Sequence, residues 1–214
     1  MSQTTPPGYS SKAAERYTQD VDKAEALLDE AGWTEGADGV REKDGKPLKV
    51  VLPYSAGSII NADGASILQG VQEQAEKVAS TSSSSRFRRP RPSRVRTASP
   101  KSATSTPGYW TAVTSGILQI NYGAGVDGAA NYWNAQFTDY PPELQEIILQ
   151  ANSEADVDAQ NALYAKAQDY IAEHALSIGV YDRLSTLAVS PKLAGVWQEH
   201  AQGGPTFYDA HFTE

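Results

Sequence analysis

The 214-residue sequence contains no cysteine. That excludes disulfides and thiolate metal sites and leaves the compartment open, because exported bacterial proteins often lack cysteine too. No apolar run approaches the roughly 20 residues of a membrane-spanning helix. The N-terminus, MSQTTPPGYSSKAAERY, has no basic region followed by an apolar core. It therefore reads as carrying no export signal, and the protein is expected either to be cytoplasmic or to start upstream of this Met. Histidine is scarce. His174, His200 and His211 lie far apart with no HxxxH pair, so no metal site is expected. No G-x-S-x-G or S-x-x-K occurs and no carboxylate pair stands out, so nothing points to catalytic residues.

Acid is missing locally. Lys77 to Val126 holds no Asp or Glu, while Arg86 to Lys101 supplies seven of the eighteen basic side chains. Without that stretch, 11 basic side chains face 26 acidic ones, a balance of −15 against −8 for the whole chain. A body so acidic repels phosphate backbones and favours solubility.

Periodicity predicts mixed α/β structure. Gln19–Gly32 reads as a helix with Asp20 as N-cap, Val21, Ala24, Leu27, Leu28 and Ala31 on one face, and Gly32 at the left-handed stop. Asp44-Gly45 marks a hairpin between Val40–Lys43 and a strand Leu48–Tyr54. Ile59–Val78 reads as a helix burying Ile60, Ala65, Leu68, Val71 and Ala75, with Gly64 and Gly70 against it. Ile117–Tyr122 is expected as a short strand. Pro142–Asn152 is a helix with Leu144, Ile147, Ile148 and Ala151 inward. Asp156 caps a longer helix to about Ala175, with Ala159, Leu163, Ala167, Tyr170 and Ile171 inward. Leu176–Tyr181 alternates as a strand, and Leu184–Ser190 is a candidate for another. The order suggests an α/β layer.

One block carries a resemblance. DKAEALLDEAGWTEGADGVREKDGKPLKVVLPY, with its helix ending Ala31-Gly32-Trp33, acidic glycine-rich loop Thr34–Gly39 and hairpin Gly45–Leu48, resembles the second lobe of family 5 extracellular solute-binding proteins of ABC importers. The tail from Asp156 to Trp197 is similar to that family as well, with Leu176 and Gly179 in place of two usual prolines and Leu193 in place of a valine. The resemblance covers about Tyr9–Ala79 and Tyr109 to the C-terminus. It implies an incomplete second, C-terminal lobe of a periplasmic-binding-protein-like type II fold. Residues 1–79 and 108–214 would form the two halves of the lobe, and 80–107 would interrupt it.

Three readings stand for Thr81–Pro107, which contains SSSSRFRRPRPSRVR. A nucleic-acid arm has arginine in plenty but a single aromatic, Phe87. A disordered linker fits Ser, Pro and Arg. A frameshift fits too: with one permitted choice of codons, Ser80–Pro90 reads in the neighbouring frame as Val-Asp-Val-Glu-Leu-Val-Pro-Val-Pro-Ala-Ser, an alternating strand and turn. The arm ranks last, and no strand is expected over 81–107.

Gly123–Gly128, GAGVDG, matches G-x-G-x-x-G after an expected strand. AANYWNAQFTDYPP behind it has no helical stripe, so a plain glycine-rich loop is the better reading. EGADG lacks the spacing of a calcium loop and reads as a turn. Around the glycine loop gather Tyr109, Trp110, Tyr122, Tyr132 and Trp133, with Asp127 among them. Tyr122 suits core packing. Tyr109, Trp110, Asp127, Tyr132 and Trp133 suit a cleft that stacks on a ligand and pairs a cationic group such as a peptide amine.

The resemblance thus implies a non-enzymatic, cofactor-free receptor that closes on a peptide or similar small solute and delivers it to an ABC permease in the membrane. It implies a monomer without nucleic acid, placed in the periplasm or outside the cell, membrane-associated and often a lipoprotein. The other readings are a small cytoplasmic nucleotide-binding enzyme built on GAGVDG, and an interaction domain using the arginine segment.

Overall fold

The computed structural model describes residues 8–37, 39–54, 62–78, 81–86, 114–123, 141–181, 186–198 and 204–213. The chain forms two compact units, Thr18–Trp110 and the combination of Met1–Tyr17 with Thr111–Glu214.

In the unit Thr18–Trp110, helix α2 (Val21–Glu30) starts as its sequence dictates: the Asp20 carboxylate accepts from Lys23 N at 2.9 Å. Its end explains Ala31-Gly32-Trp33. Gly32 sits at φ +83°, its N–H bonds to Asp29 O at 2.9 Å, and Trp33 N–H bonds to Leu28 O at 2.8 Å. This crossed pair satisfies two last-turn carbonyls through a left-handed residue and stops the helix. The chain then forms an antiparallel sheet of β1 (Thr34–Glu35), β2 (Arg41–Lys43) and β3 (Lys46–Pro47). EGADG is the β1–β2 turn, with Gly36 N–H on Val40 O at 2.9 Å. Asp44 at φ +53° and Gly45 at φ +70° form the two-residue β2–β3 loop, matching the right-handed twist of the ribbon.

Two cations of β2 then lock sheet to helix. The buried Arg41 guanidinium donates to the Asp29 carboxylate and to Trp33 O, and Lys43 Nζ donates to Ala31 O at 2.7 Å. Both place positive charge against the negative end of α2. Ala31-Gly32-Trp33 and the charged hairpin thus belong to one interlocked unit.

Two expectations need correction here. The return arm of the hairpin is Lys46–Pro47, with Leu48 N–H on Arg41 O at 2.6 Å. The next strand, β4 (Lys49–Tyr54), leaves that sheet and runs parallel to β5 (Thr81–Arg86), in register from Lys49↔Thr81 to Tyr54↔Arg86. The expectation of no strand over 81–107 therefore fails for its first six residues. A ladder is built from backbone N–H and C=O groups, which Ser and Thr supply as well as Val does, and the absence of an apolar pattern in TSSSSR hid it. Residues 87–107 lie outside the described residues. Helix α3 (Ala62–Glu76) crosses between the two parallel strands and packs on β5. Leu68 is buried as expected and Ala65 and Ala75 are half-buried, but Val71 is exposed. Ile60 lies outside the described residues. The face expected on α2 is also shallow, with Val21, Ala24 and Leu28 half-buried and Leu27 and Ala31 exposed.

The second unit is helical at its centre. Helix α5 (Pro142–Ser153) begins with Pro at N1 and buries Leu144, Ile147, Ile148 and Ala151, as its spacing predicts. Helix α6 (Val157–Glu173), capped by Asp156 on Ala159 N at 2.9 Å, packs against it with Ala167 and Ile171 buried and Leu163 and Tyr170 at the margin. Ala159 is exposed, and Tyr164 and Gln168 are buried where the apolar pattern did not place them. Gln168 is buried because its amide bonds to Gly8 O, while Ser10 Oγ donates to the Asp169 carboxylate and accepts from Ala13 N, capping the short helix α1 (Ser11–Glu15). The segment 8–16 is thereby fastened to α6, about 160 residues away in sequence, and salt bridges Lys12–Asp169 and Arg16–Glu173 at 3.8 Å line the same seam.

Three expected strands in this unit also need correction. Ile117–Tyr122 is a helix, α4, because Leu118 and Tyr122, four apart, both reach the α5–α6 core. In ILQINY the β-branched residues and the apolar Leu118, Ile120 and Tyr122 alternating with Gln119 and Asn121 fit period two, and tertiary contact selected the other period. Leu176–Tyr181 forms no strand: Ile178 and Val180 are exposed, and only Leu176 packs on the core. Residues 186–190 form no strand either, while 184 and 185 lie outside the described residues. The chain ends in a ribbon, β6 (Leu193–Ala194) with β9 (His211–Phe212) and β7 (Trp197–Gln198) with β8 (Pro205–Thr206), all antiparallel.

Candidate functional site

Tyr109, Trp110, Asp127, Tyr132 and Trp133 all lie outside the described residues. The structure describes the helices that flank 124–140 in the sequence. In the sequence, helix α4 lies between the two groups: Tyr109 and Trp110 precede it, and Asp127, Tyr132 and Trp133 belong to the stretch 124–140 between α4 and α5.

That stretch has a tied base. Gln145, in the first turn of α5, donates its side-chain amide to the backbone carbonyl of Tyr122, the last residue of α4. The two helix ends through which the stretch leaves and returns are thus held together. Tyr122 is fixed at its other end too, its hydroxyl donating to Ser177 Oγ at 2.6 Å. Burial pushes the Tyr122 phenol above its ordinary pKa, and the Ser177 hydroxyl offsets part of that rise. The expected core role of Tyr122 agrees with its packing against the α5–α6 cluster.

A polar seam continues along α4. Asn152 Nδ2 donates to Gln119 Oε1 at 3.0 Å, and Tyr164 OH donates to Asn152 Oδ1 at 2.8 Å. Burial raises the Tyr164 phenol as well, so it is a neutral donor throughout the physiological range. Ser115, just before α4, is almost fully buried. Among the described residues Asn121 Oδ1 is the buried side-chain acceptor that finds no partner. Gln145 and Asn152 escaped the sequence reading because their partners, Tyr122 and Gln119, sit on α4, which was expected as a strand, and Tyr164 because its partner is Asn152.

The helical α4 also removes the support for a dinucleotide loop. In that fold G-x-G-x-x-G follows a strand and opens a helix, so that the pyrophosphate meets the helix N-terminus. Here Gly123 follows a helix and caps its C-terminal end, with its N–H on Gln119 O at 2.9 Å. That is the negative end of a helix dipole, which repels phosphate. His174 is exposed at the end of α6 and stacks on Tyr170 with ring centroids 4.0 Å apart.

No family model matches the sequence. Solved structures do. A nickel ABC transporter structure from Bacillus halodurans is 25% identical, covering 79% of this chain and 33% of that one, with a TM-score of 0.54. An oligopeptide-binding protein from Thermus thermophilus, complexed with a pentapeptide, is 20% identical over 86% of this chain and 32% of its own, with a TM-score of 0.67. The chain has the fold of part of an ABC-transporter substrate-binding protein. AppA, the oligopeptide-binding protein of Bacillus subtilis solved with a nonapeptide, extends the match to 94% of this chain and 41% of AppA, at 18% identity and a TM-score of 0.66. The chain spans about a third of the length of the first two structures. Within the substrate-binding fold, mixed helices and strands and the parallel β4–α3–β5 unit agree with the expected α/β class.

Proposed function

We propose that this chain supplies the second, C-terminal lobe of the solute-binding component of an ABC importer. On this reading residues 1–79 and 108–214 are the two halves of the lobe and 80–107 is the segment between them. The protein is non-enzymatic. It takes a peptide or a similar small solute in a cleft shared with a first lobe and delivers it to a membrane permease from the periplasmic or extracellular side. The observation that carries the proposal is the match to the pentapeptide-complexed T. thermophilus protein over 86% of this chain.

Tyr109, Trp110, Asp127, Tyr132 and Trp133 are proposed to line this lobe's wall of the cleft, the rings stacking on the solute and Asp127 pairing a cationic group. The tied base at Gln145 and Tyr122 supports that assignment, because a loop that closes on a ligand loses less entropy when its ends are already fixed.

Titration calorimetry against a library of short peptides and nickel–histidine complexes tests the reading. Two-lobe pockets cover about 70–90% of a small ligand's surface, so one lobe leaves much of it wet. If half the contacts go, a micromolar solute at about −8 kcal/mol falls towards millimolar, about −4 kcal/mol. The 214-residue chain is expected to bind nothing tighter than roughly millimolar, and the same chain joined to a first lobe to bind at micromolar level. Micromolar binding by the chain alone would overturn the shared cleft. A joined protein that binds none of these solutes would overturn the solute-binding role.

A further inference from the structure

The segment 8–16 is held to α6 by polar contacts. Helix α1 buries no residue, and from Gly8 to Arg16 the one buried residue is Ser10. The segment grips α6 through the Gln168 amide on Gly8 O, Ser10 Oγ on the Asp169 carboxylate, and the ion pairs Lys12–Asp169 and Arg16–Glu173 at 3.8 Å. Lys12, Arg16 and Glu173 are exposed and Asp169 is half-buried, so water and salt compete for both pairs. Helices α5 and α6, by contrast, meet through the buried Ile148, Ala151, Ala167 and Ile171. A polar strap on an apolar core opens at a lower free energy than the core does.

The start of this strap walls α4. A Cβ at Gly8 would lie 2.8 Å from Tyr164 Cβ and 2.9 Å from Ser115 Oγ, so the Gly8 backbone covers both residues. Ser115 is 1% exposed and stands just before α4. Helix α4 has six residues and no side-chain cap on Gly116 at its N-terminus. It is far below the roughly 12–15 residues at which an isolated helix is even marginal, so packing must hold it. Its first turn closes through Leu118 N–H on Ser115 O and Gln119 N–H on Gly116 O, both at 3.0 Å.

We propose that segment 8–16 is an ionic-strength-sensitive latch on α4. When it lifts from α6, Ser115 and Tyr164 lose their cover and water reaches the first turn of α4. The short helix then unwinds, and the bond from Gln145 to Tyr122 O at its far end slackens, while α5 and α6 stay packed. Salt opens the latch by screening Lys12–Asp169 and Arg16–Glu173. Its bearing on the cleft rests on the proposed function, because Tyr122 and Gln145 lie on the helices that flank 124–140 in the sequence. The latch itself is measured without any solute, so its failure and the failure of the solute-binding reading are separate results.

The test is amide hydrogen exchange of the 214-residue chain, read by mass spectrometry over 8–16, 114–123 and 142–153. Ser10→Ala removes both the cap of α1 and the donor to Asp169. At low salt it is expected to speed exchange over 8–16 and 114–123 about tenfold and to leave 142–153 within about twofold of the parent. Raising NaCl to about 1 M, where the Debye length is about 3 Å, should speed the same two segments of the parent about threefold. Lys12→Gln with Arg16→Gln, at two exposed positions, should show that faster exchange already at low salt and respond no further to added salt. Faster exchange over 8–16 with 114–123 unchanged would overturn the latch and leave a plain tether. An equal rise over 142–153 would overturn it too, because the whole helical core would then open together. A full salt response in the double variant would overturn the ionic control.

Discussion

Gln145 and Tyr122 join the first turn of α5 to the last residue of α4, side-chain amide to backbone carbonyl, and so hold together the two helix ends that flank 124–140 in the sequence. The bond is partly buried, and its acceptor already ends a helix whose last carbonyls have no intrahelical donor. Replacing the amide by an apolar group of similar length removes the hydrogen bond that Gln145 gives that carbonyl. Gln145→Met is therefore expected to cost about 1–2 kcal/mol in urea unfolding. It should also raise amide exchange over 124–140 relative to α6. An unchanged exchange pattern there would show that the bond does not hold the loop.

The α5–α6 core should be steeply position-dependent. Ile148 is fully buried against α6, while its neighbour Leu149 is exposed. Ile148→Ala removes packed methyl groups and leaves a cavity, for an expected loss of about 2–5 kcal/mol. Leu149→Ala should stay within about 0.5 kcal/mol of the parent. Denaturant midpoints of the two variants, compared at equal slope, check this.

This core was the most legible part of the fold. Leu144, Ile147, Ile148 and Ala151 recur at helical spacing between Pro142 and a polar stretch, and no other structure buries all four. The caps Asp20 and Asp156 and the turn Asp44-Gly45 were equally readable, since each is a local solution to a local need. What could not be read depended on distant partners. Ile117–Tyr122 carries strand-forming side chains, and only the α5–α6 surface makes it a helix. Gln168 looks like a surface residue until Gly8, far away in the chain, needs a donor. Of the candidate site, Tyr109, Trp110, Asp127, Tyr132 and Trp133 were singled out from the residues alone, and all five lie outside the described residues. The tie between Gln145 and Tyr122 could not be read there, because Gln145 is an ordinary helix residue until α4 is known to be helical.

The fastening of the N-terminal segment should tolerate no side chain at Gly8. It sits at φ +74°, and a Cβ there would lie 2.8 Å from Tyr164 Cβ and 2.9 Å from Ser115 Oγ. Both the left-handed backbone and the close approach require glycine. Gly8→Ala is expected to destabilise by about 1–3 kcal/mol. It should also release segment 8–16 to proteolysis at Lys12 and Arg16, ahead of any cleavage in α6. A variant as resistant as the parent at those two sites would show that the segment is not held through Gly8.

Strand β5 makes a prediction about backbone alone. In a two-stranded parallel sheet the N–H groups of one strand point alternately toward and away from its partner. Of Ser82 and Ser83, successive residues paired with Val50 and Val51, one donates to β4 and the other does not. Proline removes the donor, so one of Ser82→Pro and Ser83→Pro should destabilise the unit Thr18–Trp110 clearly more than the other. Equal effects would mean that β5 does not pair as described.

The two raised phenols give the chain an alkaline limit. Tyr122 and Tyr164 both have folded-state pKa values above the ordinary 10.0, each because burial disfavours the phenolate. The unfolded chain, with its phenols in water, then releases protons first as pH rises through about 10. Above that point the unfolded state binds fewer protons than the native one, so unfolding free energy falls with increasing pH. Their contribution is fully present below about pH 10 and is lost between there and the raised folded values. Urea midpoints measured from about pH 8 to about pH 11 should accordingly be flat to about pH 9.5 and then decline. Tyr164→Phe should make the decline shallower, at the cost of leaving Asn152 Oδ1 without the donor that Tyr164 supplies, about 1 kcal/mol at neutral pH. Tyr122→Phe should do the same while freeing Ser177. The double variant should be the flattest of the set. If it keeps the parent's full decline, some other group sets the alkaline limit, and burial of these two rings does not couple to it.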